Sequence, residues 1–153
     1  MKRLLYNILF LGLNFGALTL GVWLMNSGPV SDWYKLLNKA PWTPPGWMFG
    51  VAWSFIMICY SIYMSQLVLL KSNFNIWILF VLQWMLNVSW NYVFFNQHLI
   101  MVGLINLFLL FSLITFFMIK FNVVMKKYSF FIFPYFLWLL VAISLNGYVL
   151  LFN

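Results

Sequence analysis

The chain has 153 residues, of which 66% are hydrophobic and only 6% charged. This composition excludes a soluble globular domain, which needs far more charge to face water. The net charge of +7 comes from Lys and Arg residues scattered singly or in pairs between apolar runs. Because nucleic-acid binding needs a continuous basic patch, we expect no nucleic-acid partner.

Five long apolar runs follow one another along the chain. Each is long enough to cross a bilayer, and their continuous Leu, Phe and Ile content indicates helices rather than the alternating strands of a barrel. We therefore predict an all-α integral membrane protein, a bundle of five transmembrane helices forming a single domain over residues 1–153. The predicted spans are residues 4–25, 44–70, 74–95, 99–119 and 128–152.

The first run begins after Met-Lys-Arg, in the manner of a signal peptide. It extends to Met25 and lacks a small-residue cleavage site, so we expect it to be retained as a transmembrane span. It also contains a GxxxG motif at Gly12 and Gly16, which lets helices approach closely in lipid. We expect this motif to pack inside the bundle rather than to form a dimer contact.

The connection that leads from the first run into the second is unusually rich in tryptophan and proline. Between Trp33 and Trp53 it holds four tryptophans and three of the five prolines. Proline cannot continue a helix interior, and tryptophan favours the membrane–water boundary. We expect an interfacial loop, and we interpret it further as the lid of a ligand pocket.

The basic residues give the bundle a predicted orientation. Six of the eight lie at one end, and the other end has only Lys35 and Lys39, opposed by Asp32. The positive-inside rule then predicts a cytoplasmic amino terminus and an outward-facing loop over residues 33–47. A bacterial cell membrane is the expected location. The six residues at the basic end are Lys2, Arg3, Lys71, Lys120, Lys126 and Lys127.

Conventional catalytic chemistry has no residues to support it. No Asp, Glu, Lys or Arg lies at the centre of a span, which disfavours an ion-coupled transporter. The single His and single Asp, both at loop edges, supply neither a nucleophile with its base nor a metal site. We predict no metal and no required cofactor.

Two helical faces combine amides with aromatic rings. Gln83, Asn87, Trp90 and Phe94 recur at helical spacing in the third run, and Trp138, Ala142 and Asn146 do so in the fifth. A buried amide in lipid needs a partner, so both faces are predicted to point inward. Such residues act either as interhelical hydrogen bonds and packing, or as the wall of a cavity for a flat hydrophobic ligand.

Three motifs in this order resemble the TspO/translocator protein family, also known as tryptophan-rich sensory proteins. They are Trp33-Tyr34 with Pro41-Trp42-Thr-Pro44-Pro45-Gly46-Trp47-x-Phe49-x-x-x-Trp53, then Gln83-x-x-x-Asn87-x-x-Trp90-x-x-x-Phe94-Phe95, then Pro134-Tyr135-x-x-Trp138-x-x-x-Ala142-x-x-Leu145-Asn146. The sequence departs from the family pattern at Asn106, where Asp is frequent, and at Ser54 to Met57, where a Tyr is usual.

The resemblance implies a five-helix bundle, usually a homodimer, that binds porphyrins such as protoporphyrin or haem-like tetrapyrroles and, in some members, sterols. It also implies that Trp53 and Trp138 would be the catalytic residues, since some bacterial relatives degrade protoporphyrin in light. The ligand-binding positions implied by motif match are Trp33, Tyr34, Pro41, Trp42, Trp53, Asn87, Trp90, Phe94, Trp138 and Ala142.

Our leading interpretation is a membrane receptor or binding protein for porphyrins with a regulatory or stress-sensing role. One alternative is a light-dependent porphyrin-degrading enzyme that uses the two indoles Trp53 and Trp138. Another is a tetrapyrrole or sterol transporter, which would be uncoupled because the spans hold no charge.

Overall fold

The computed structural model describes all 153 residues, and every regular element in it is helical. Five long helices of 18 to 26 residues account for most of the chain. A short helix, α2, lies in the connection between the first two of them. The elements are α1 (Lys2–Leu24), α2 (Asp32–Leu36), α3 (Gly46–Leu70), α4 (Phe74–Asn91), α5 (Ile100–Met125) and α6 (Phe133–Phe152).

Four continuous helical stretches are long and apolar enough to cross a membrane: Lys2–Val30, Gly46–Leu70, Phe74–Asn96 and Ile100–Phe152. The last has 53 residues and contains both α5 and α6. Those two helices pack against each other, because the chain folds back at Lys126, where φ is +49°. The chain is therefore an apolar helical membrane bundle.

The long helices form a closed ring. α1 packs against α3 and α4, α4 against α5, α5 against α6, and α6 against α3. The centre is filled mainly by aromatic side chains that are fully buried, and Tyr60 and Tyr135 meet there edge to face at 5.4 Å. The largest of these side chains are Phe10, Tyr60, Tyr63, Phe117 and Tyr135.

Hydrogen bonds cross between neighbouring helices, since polar groups buried in lipid must find partners there. Asn14 Nδ2 donates to Ser61 Oγ at 2.8 Å and joins α1 to α3. Trp84 Nε1 donates to the Leu13 carbonyl at 2.8 Å and joins α4 to α1. Tyr63 donates from its hydroxyl to the Phe117 carbonyl at 3.0 Å, which joins α3 to α5.

The helix ends follow local chemistry. Pro45 is the N-cap of α3, where its missing N–H costs nothing. Asn73 caps α4 by accepting a hydrogen bond from the Asn75 N–H at 3.0 Å. α4 continues into a π-helical turn, Tyr92–Asn96, and His98 then turns the chain with a φ of +56°.

Two boundaries differ from the spans expected from the sequence. α5 runs on to Met125 rather than ending near Ile119, so Lys120 lies on the helix instead of in the connection. α6 begins at Phe133 rather than at Tyr128, because residues 126–132 form a 3₁₀ segment that precedes Pro134. Hydrophobicity alone does not mark these ends, since the connecting residues are also aromatic.

The GxxxG motif of α1 does not pack inside the bundle, contrary to expectation. Gly12 and Gly16 are exposed, and a Cβ added at either would meet nothing within 4 Å. The close approach of helices occurs at Gly21, where a Cβ would lie 2.7 Å from Asn91 Nδ2. Ala17 is buried on the same inner face. The motif therefore lies on the outer surface of the bundle.

Candidate functional site

The candidate site lies at the end of the bundle that carries the tryptophan-rich connection, which we call the lid (residues 26–45). The lid folds because Ser31 caps α2, its Oγ accepting a hydrogen bond from the Tyr34 N–H at 3.2 Å. Lys39 Nζ donates to the Tyr34 carbonyl at 2.9 Å. These local contacts hold Trp33 and Tyr34 against the ends of the long helices.

Aromatic stacking attaches one side of the lid to the turn after α4. The Trp33 ring stacks on the His98 imidazole, with ring centroids 4.0 Å apart and planes 13° apart. It also meets Phe94 edge to face at 5.6 Å. Tyr34 packs on Phe95 at 5.2 Å. Burial raises the pKa of the Tyr34 phenol above its usual value.

Beneath the lid, three rings of α4 and its π-helical turn pack on one another. Trp90 stacks on Phe94 with centroids 5.1 Å apart, and Phe95 meets Trp90 and Phe94 edge to face at 5.6 and 5.0 Å. The π-helical turn makes this possible by shifting the register of the chain after Asn91. We call the group Trp33, Tyr34, Trp90, Phe94, Phe95 and His98 the lid cluster.

A hydrogen bond network fixes the lid cluster to α5 and α6. In the amide orientation that satisfies both partners, Asn146 accepts from Trp90 Nε1 at 3.3 Å and donates to the Ile100 carbonyl at 3.0 Å. Gly103 leaves room for this contact, because a Cβ there would lie 3.2 Å from the Asn146 amide. The indole of Trp90 is thereby satisfied within the protein.

The other side of the lid is attached to α6. Asn38 donates from its side chain to the Phe152 carbonyl at 3.0 Å and from its backbone to Asn153 Oδ1 at 2.8 Å. Trp42 Nε1 donates to Ser144 Oγ at 3.2 Å, and its ring meets Tyr148 edge to face at 5.5 Å. The lid is therefore fastened at both sides and stands closed.

A second group of aromatic rings lies where α3 faces α6, and we call it the α3–α6 seam. Trp53 meets Tyr135 edge to face at 5.8 Å, and Phe49 meets Trp138 in the same way at 5.6 Å. The indoles of Trp42, Trp84 and Trp90 donate within the protein, whereas those of the half-buried Trp53 and Trp138 have no protein partner, and neither does that of Trp33 in the lid cluster. Since a buried Trp N–H usually finds a partner, the seam leaves two indole donors free for a ligand or for solvent.

The amides of α4 face inward, as the sequence predicts. Gln83 and Asn87 are 1% and 6% exposed. Gln83 Nε2 donates to the Tyr135 hydroxyl at 2.8 Å, while its Oε1 is buried with no partner. The backbone carbonyl of Asn87 accepts a hydrogen bond from Asn91 Nδ2 at 3.4 Å. The side-chain amide of Asn87 is left without a protein partner.

Asn106 makes a hydrogen bond to a neighbouring helix. The family resemblance leads one to expect Asp at this position. Asn106 Nδ2 donates to Ser89 Oγ at 2.8 Å, and Ser89 Oγ donates onward to the Leu86 carbonyl at 3.2 Å. An ionised Asp at this position could not donate to Ser89 Oγ, whereas the amide of Asn106 can. The match is partial, because Asn106 Oδ1 is buried with no partner in the protein.

The ten positions implied by the resemblance form two groups, the lid cluster and the α3–α6 seam, and four further residues lie outside them. Trp33, Tyr34, Trp90 and Phe94 meet in the lid cluster, whereas Trp53 and Trp138 lie along the α3–α6 seam. Ala142 is half-buried and packs against the core, and Asn87 is buried on α4. Pro41 is exposed, and Trp42, 56% exposed, points along α6 away from the cluster.

Three contacts at this end were missed by reasoning from the sequence: the His98 stack, the role of Phe95, and the Asn38–Asn153 pair. A lone His next to an aromatic run is a weak signal, and a contact between residues 38 and 153 leaves no local pattern at all. The assembled end offers ring faces, indole N–H groups without protein partners and the free amide of Asn87, and its charged residues are Asp32, Lys35 and Lys39 of the lid. It can bind by shape, stacking and hydrogen bonding, and it has no acid–base pair for hydrolysis.

Comparison with known proteins agrees with these features. A model of the TspO/MBR family matches residues 8–151. The chain is 32% identical over 129 residues to the Tryptophan-rich protein TspO of Chlorobaculum tepidum, covering 82% of each chain. It is also 53% identical over 30 residues to Protein CrtK of Rhodobacter capsulatus, a short match covering 20% of this chain and 19% of the relative.

The family match covers most or all of each of the five long helices, the lid, and the aromatic residues of the lid cluster and the seam. The helices are apolar, and the relative that matches most of the chain is itself described as tryptophan-rich. The chain belongs to the TspO/MBR family, and it is a tryptophan-rich integral membrane protein.

Proposed function

We propose that this protein is a membrane receptor for porphyrins, or for flat hydrophobic ligands of similar size, that binds them under the lid and signals their presence. The observation that carries the proposal is a closed aromatic lid beside uncommitted polar groups. A planar macrocycle presents large faces for stacking and a few polar atoms at its edge. The ring faces of the α3–α6 seam and the free amide of Asn87 complement those two features.

The roles of the two aromatic groups differ in this proposal. Trp53 and Trp138 form walls against the ligand, and Asn87 anchors a polar edge. Trp33 and Tyr34 close the site from above, together with Trp90 and Phe94. Since the lid is attached only through ring contacts and a few exposed hydrogen bonds, it can open and reclose, and its position would report occupancy.

We further propose that all five long helices cross a bacterial cell membrane with the amino terminus in the cytoplasm. The distribution of charge supports this orientation. Six of the eight basic residues lie at the end of the bundle opposite the lid, and the positive-inside rule assigns the more basic end to the cytoplasm. Cysteine labelling of intact cells with an impermeant thiol reagent tests it, using Ser31→Cys in a Cys59→Ser background. Labelling before the cells are opened is expected. Labelling only afterwards would reverse the orientation.

Ligand binding is tested with the purified protein and protoporphyrin, following absorbance and tryptophan fluorescence in the dark and in light. We expect saturable binding in the dark and little loss of the porphyrin under illumination. No binding would overturn the proposal. Rapid loss of the porphyrin in light would favour a photochemical enzyme over a receptor.

Trp53→Phe and Trp138→Phe separate these two functions, because phenylalanine keeps the ring face but removes the easily oxidised indole. For a receptor, each variant should bind protoporphyrin within a few-fold of the wild type. For an enzyme, the variants should bind but lose light-dependent turnover. Trp23→Phe is a matched control, because Trp23 is 75% exposed on α1 and away from the seam.

A homodimer is also proposed, with the exposed Gly12–Gly16 face of α1 as a contact. The absence of any atom within 4 Å of a Cβ at either glycine supports this, since small residues on a lipid-facing surface let a second helix approach closely. Gly12→Leu combined with Gly16→Leu should convert a dimer to a monomer in detergent, as measured by light scattering. An unchanged mass would exclude this face as the contact.

A further inference from the structure

A cavity lies at the opposite end of the bundle from the lid, between the start of α4 and the last turns of α5. Its volume is about 380 Å³. Ile78 and Phe116 line it and are 49% and 44% exposed on the outer surface of the helices. Phe121 forms a buried part of its wall. The cavity is thus apolar where it meets the surface that faces lipid.

Two lysines lie at the rim of the cavity. Lys71 ends α3 and Lys120 lies on α5, and both belong to the lining. Lys71 Nζ lies 6.0 Å from the centre of the Phe121 ring. The attraction between the ammonium group and the ring holds the positive charge next to the cavity wall. Asn73 and Asn75, which begin α4, add polar groups to the same rim.

No acidic residue compensates the charge at this rim. The single acidic residue of the chain, Asp32, lies in the lid at the other end and pairs with Lys35 at 3.4 Å. The positive end of the α4 dipole adds to the two lysines, and the negative end of the α3 dipole, beside Lys71, offsets part of that charge but supplies no carboxylate. An occupant of this cavity must therefore be anionic at the rim and apolar below it.

We propose that this cavity binds an anionic phospholipid, with the phosphate between Lys71 and Lys120 and an acyl chain along Ile78 and Phe116. A phosphate next to a hydrocarbon chain is the one arrangement that matches both the charge of the rim and the apolar lining. Basic pockets between transmembrane helices bind anionic headgroups by the same combination. The site lies at the other end of the bundle from the lid and does not depend on what binds there.

Native mass spectrometry of the purified full chain, titrated with phosphatidylglycerol or with phosphatidylcholine, tests this proposal. We expect phosphatidylglycerol to bind at least tenfold more tightly. Replacing both Lys71→Gln and Lys120→Gln should weaken its binding about 25-fold, since each basic residue near an anionic lipid contributes roughly a factor of five. The pair Lys71→Arg and Lys120→Arg should retain binding, which separates charge from folding.

The matched control replaces Lys126→Gln and Lys127→Gln, which removes the same charge from the same end but outside the cavity lining. This control should bind phosphatidylglycerol within about twofold of the wild type. Equal losses in the two double variants would show a diffuse charge effect and overturn the proposal. Equal affinity of the wild type for both lipids would also overturn it. Displacement of the lipid by millimolar inorganic phosphate would assign the rim to a free anion instead.

Discussion

The lid cluster and the α3–α6 seam are built from the same kinds of side chain, yet they differ in what they leave unsatisfied. In the lid cluster the rings contact one another and the indole of Trp90 donates to Asn146, so that of its two indoles only that of the half-buried Trp33 lacks a protein partner. In the seam, Trp53 and Trp138 each have one edge-to-face partner and no partner for the indole N–H within the protein. A group that is satisfied internally stabilises the fold, whereas one with spare donors and ring faces is available to a ligand.

Trp90→Ala should give the largest effect on stability, because it removes two aromatic contacts and a hydrogen bond from the lid cluster. The expected loss is about 3–5 kcal/mol in the free energy of unfolding. The same change at Trp138 should cost clearly less stability and more ligand affinity. The buried thiol of Cys59 provides the measurement, since a thiol-reactive dye labels it on unfolding. Equal destabilisation by the two variants would remove the distinction between the two groups.

Asn146→Leu isolates the hydrogen bonds of the lid cluster from its stacking. It leaves the Trp90 N–H and the Ile100 carbonyl without the partner they share. We expect a loss of about 1–3 kcal/mol in unfolding free energy, with the lower values favoured in a membrane. Ser144→Ala is a suitable control on the same helix, because it removes two exposed hydrogen bonds, one from Trp42 and one to the Val141 carbonyl. A wild-type melting temperature for Asn146→Leu would show that the network contributes nothing.

Asn87→Leu tests the opposite property, a polar group that the protein itself does not use. Because the side-chain amide has no protein partner, its removal should leave stability nearly unchanged. Protoporphyrin affinity should fall about 3- to 30-fold, corresponding to roughly 0.6–2 kcal/mol for a polar contact in a membrane. Gln83→Leu provides the contrast, since Gln83 donates to Tyr135 and its loss should lower stability. If Asn87→Leu fails to fold while Gln83→Leu folds normally, then Asn87 is the structural residue and Gln83 is the one available to a ligand.

His98→Ala should have the smallest effect, confined to the lid. It removes the stacked partner of Trp33, a contact worth about 0.5–1.5 kcal/mol. Faster amide hydrogen exchange is expected in residues 31–37, with the core helices unaffected. His98→Phe should regain protection relative to His98→Ala, because both variants bear the same positive φ at residue 98 and only the first keeps a ring there. Exchange that rises equally throughout the bundle would mean that the contact supports the fold and does not merely close the lid.

Much of the fold follows from the sequence because the membrane imposes it. A long apolar run must be helical in lipid, and an amide within it must point to other protein. Those two constraints predicted the long helices and the inward face of Gln83 and Asn87, and the alternation of the connections between the two ends predicted the grouping of basic residues. The end of α5 at Met125 could not be read in the same way, since residues 120–133 continue the aromatic and apolar pattern through the 3₁₀ segment.

The sequence by itself determined which residues are chemically suited to the site, and only the tertiary structure decided which of them meet. Trp33 and Trp42 belong to one motif, yet one stacks on His98 and the other bonds to Ser144 on α6. Gly12 and Gly16 have the spacing of a packing motif, yet they face outward while Gly21 makes the close contact. Residue type and spacing set the face of a helix, whereas the rotation of that helix in the bundle depends on contacts between distant segments. Those contacts leave no periodic signal in the chain, because each of them is made only once.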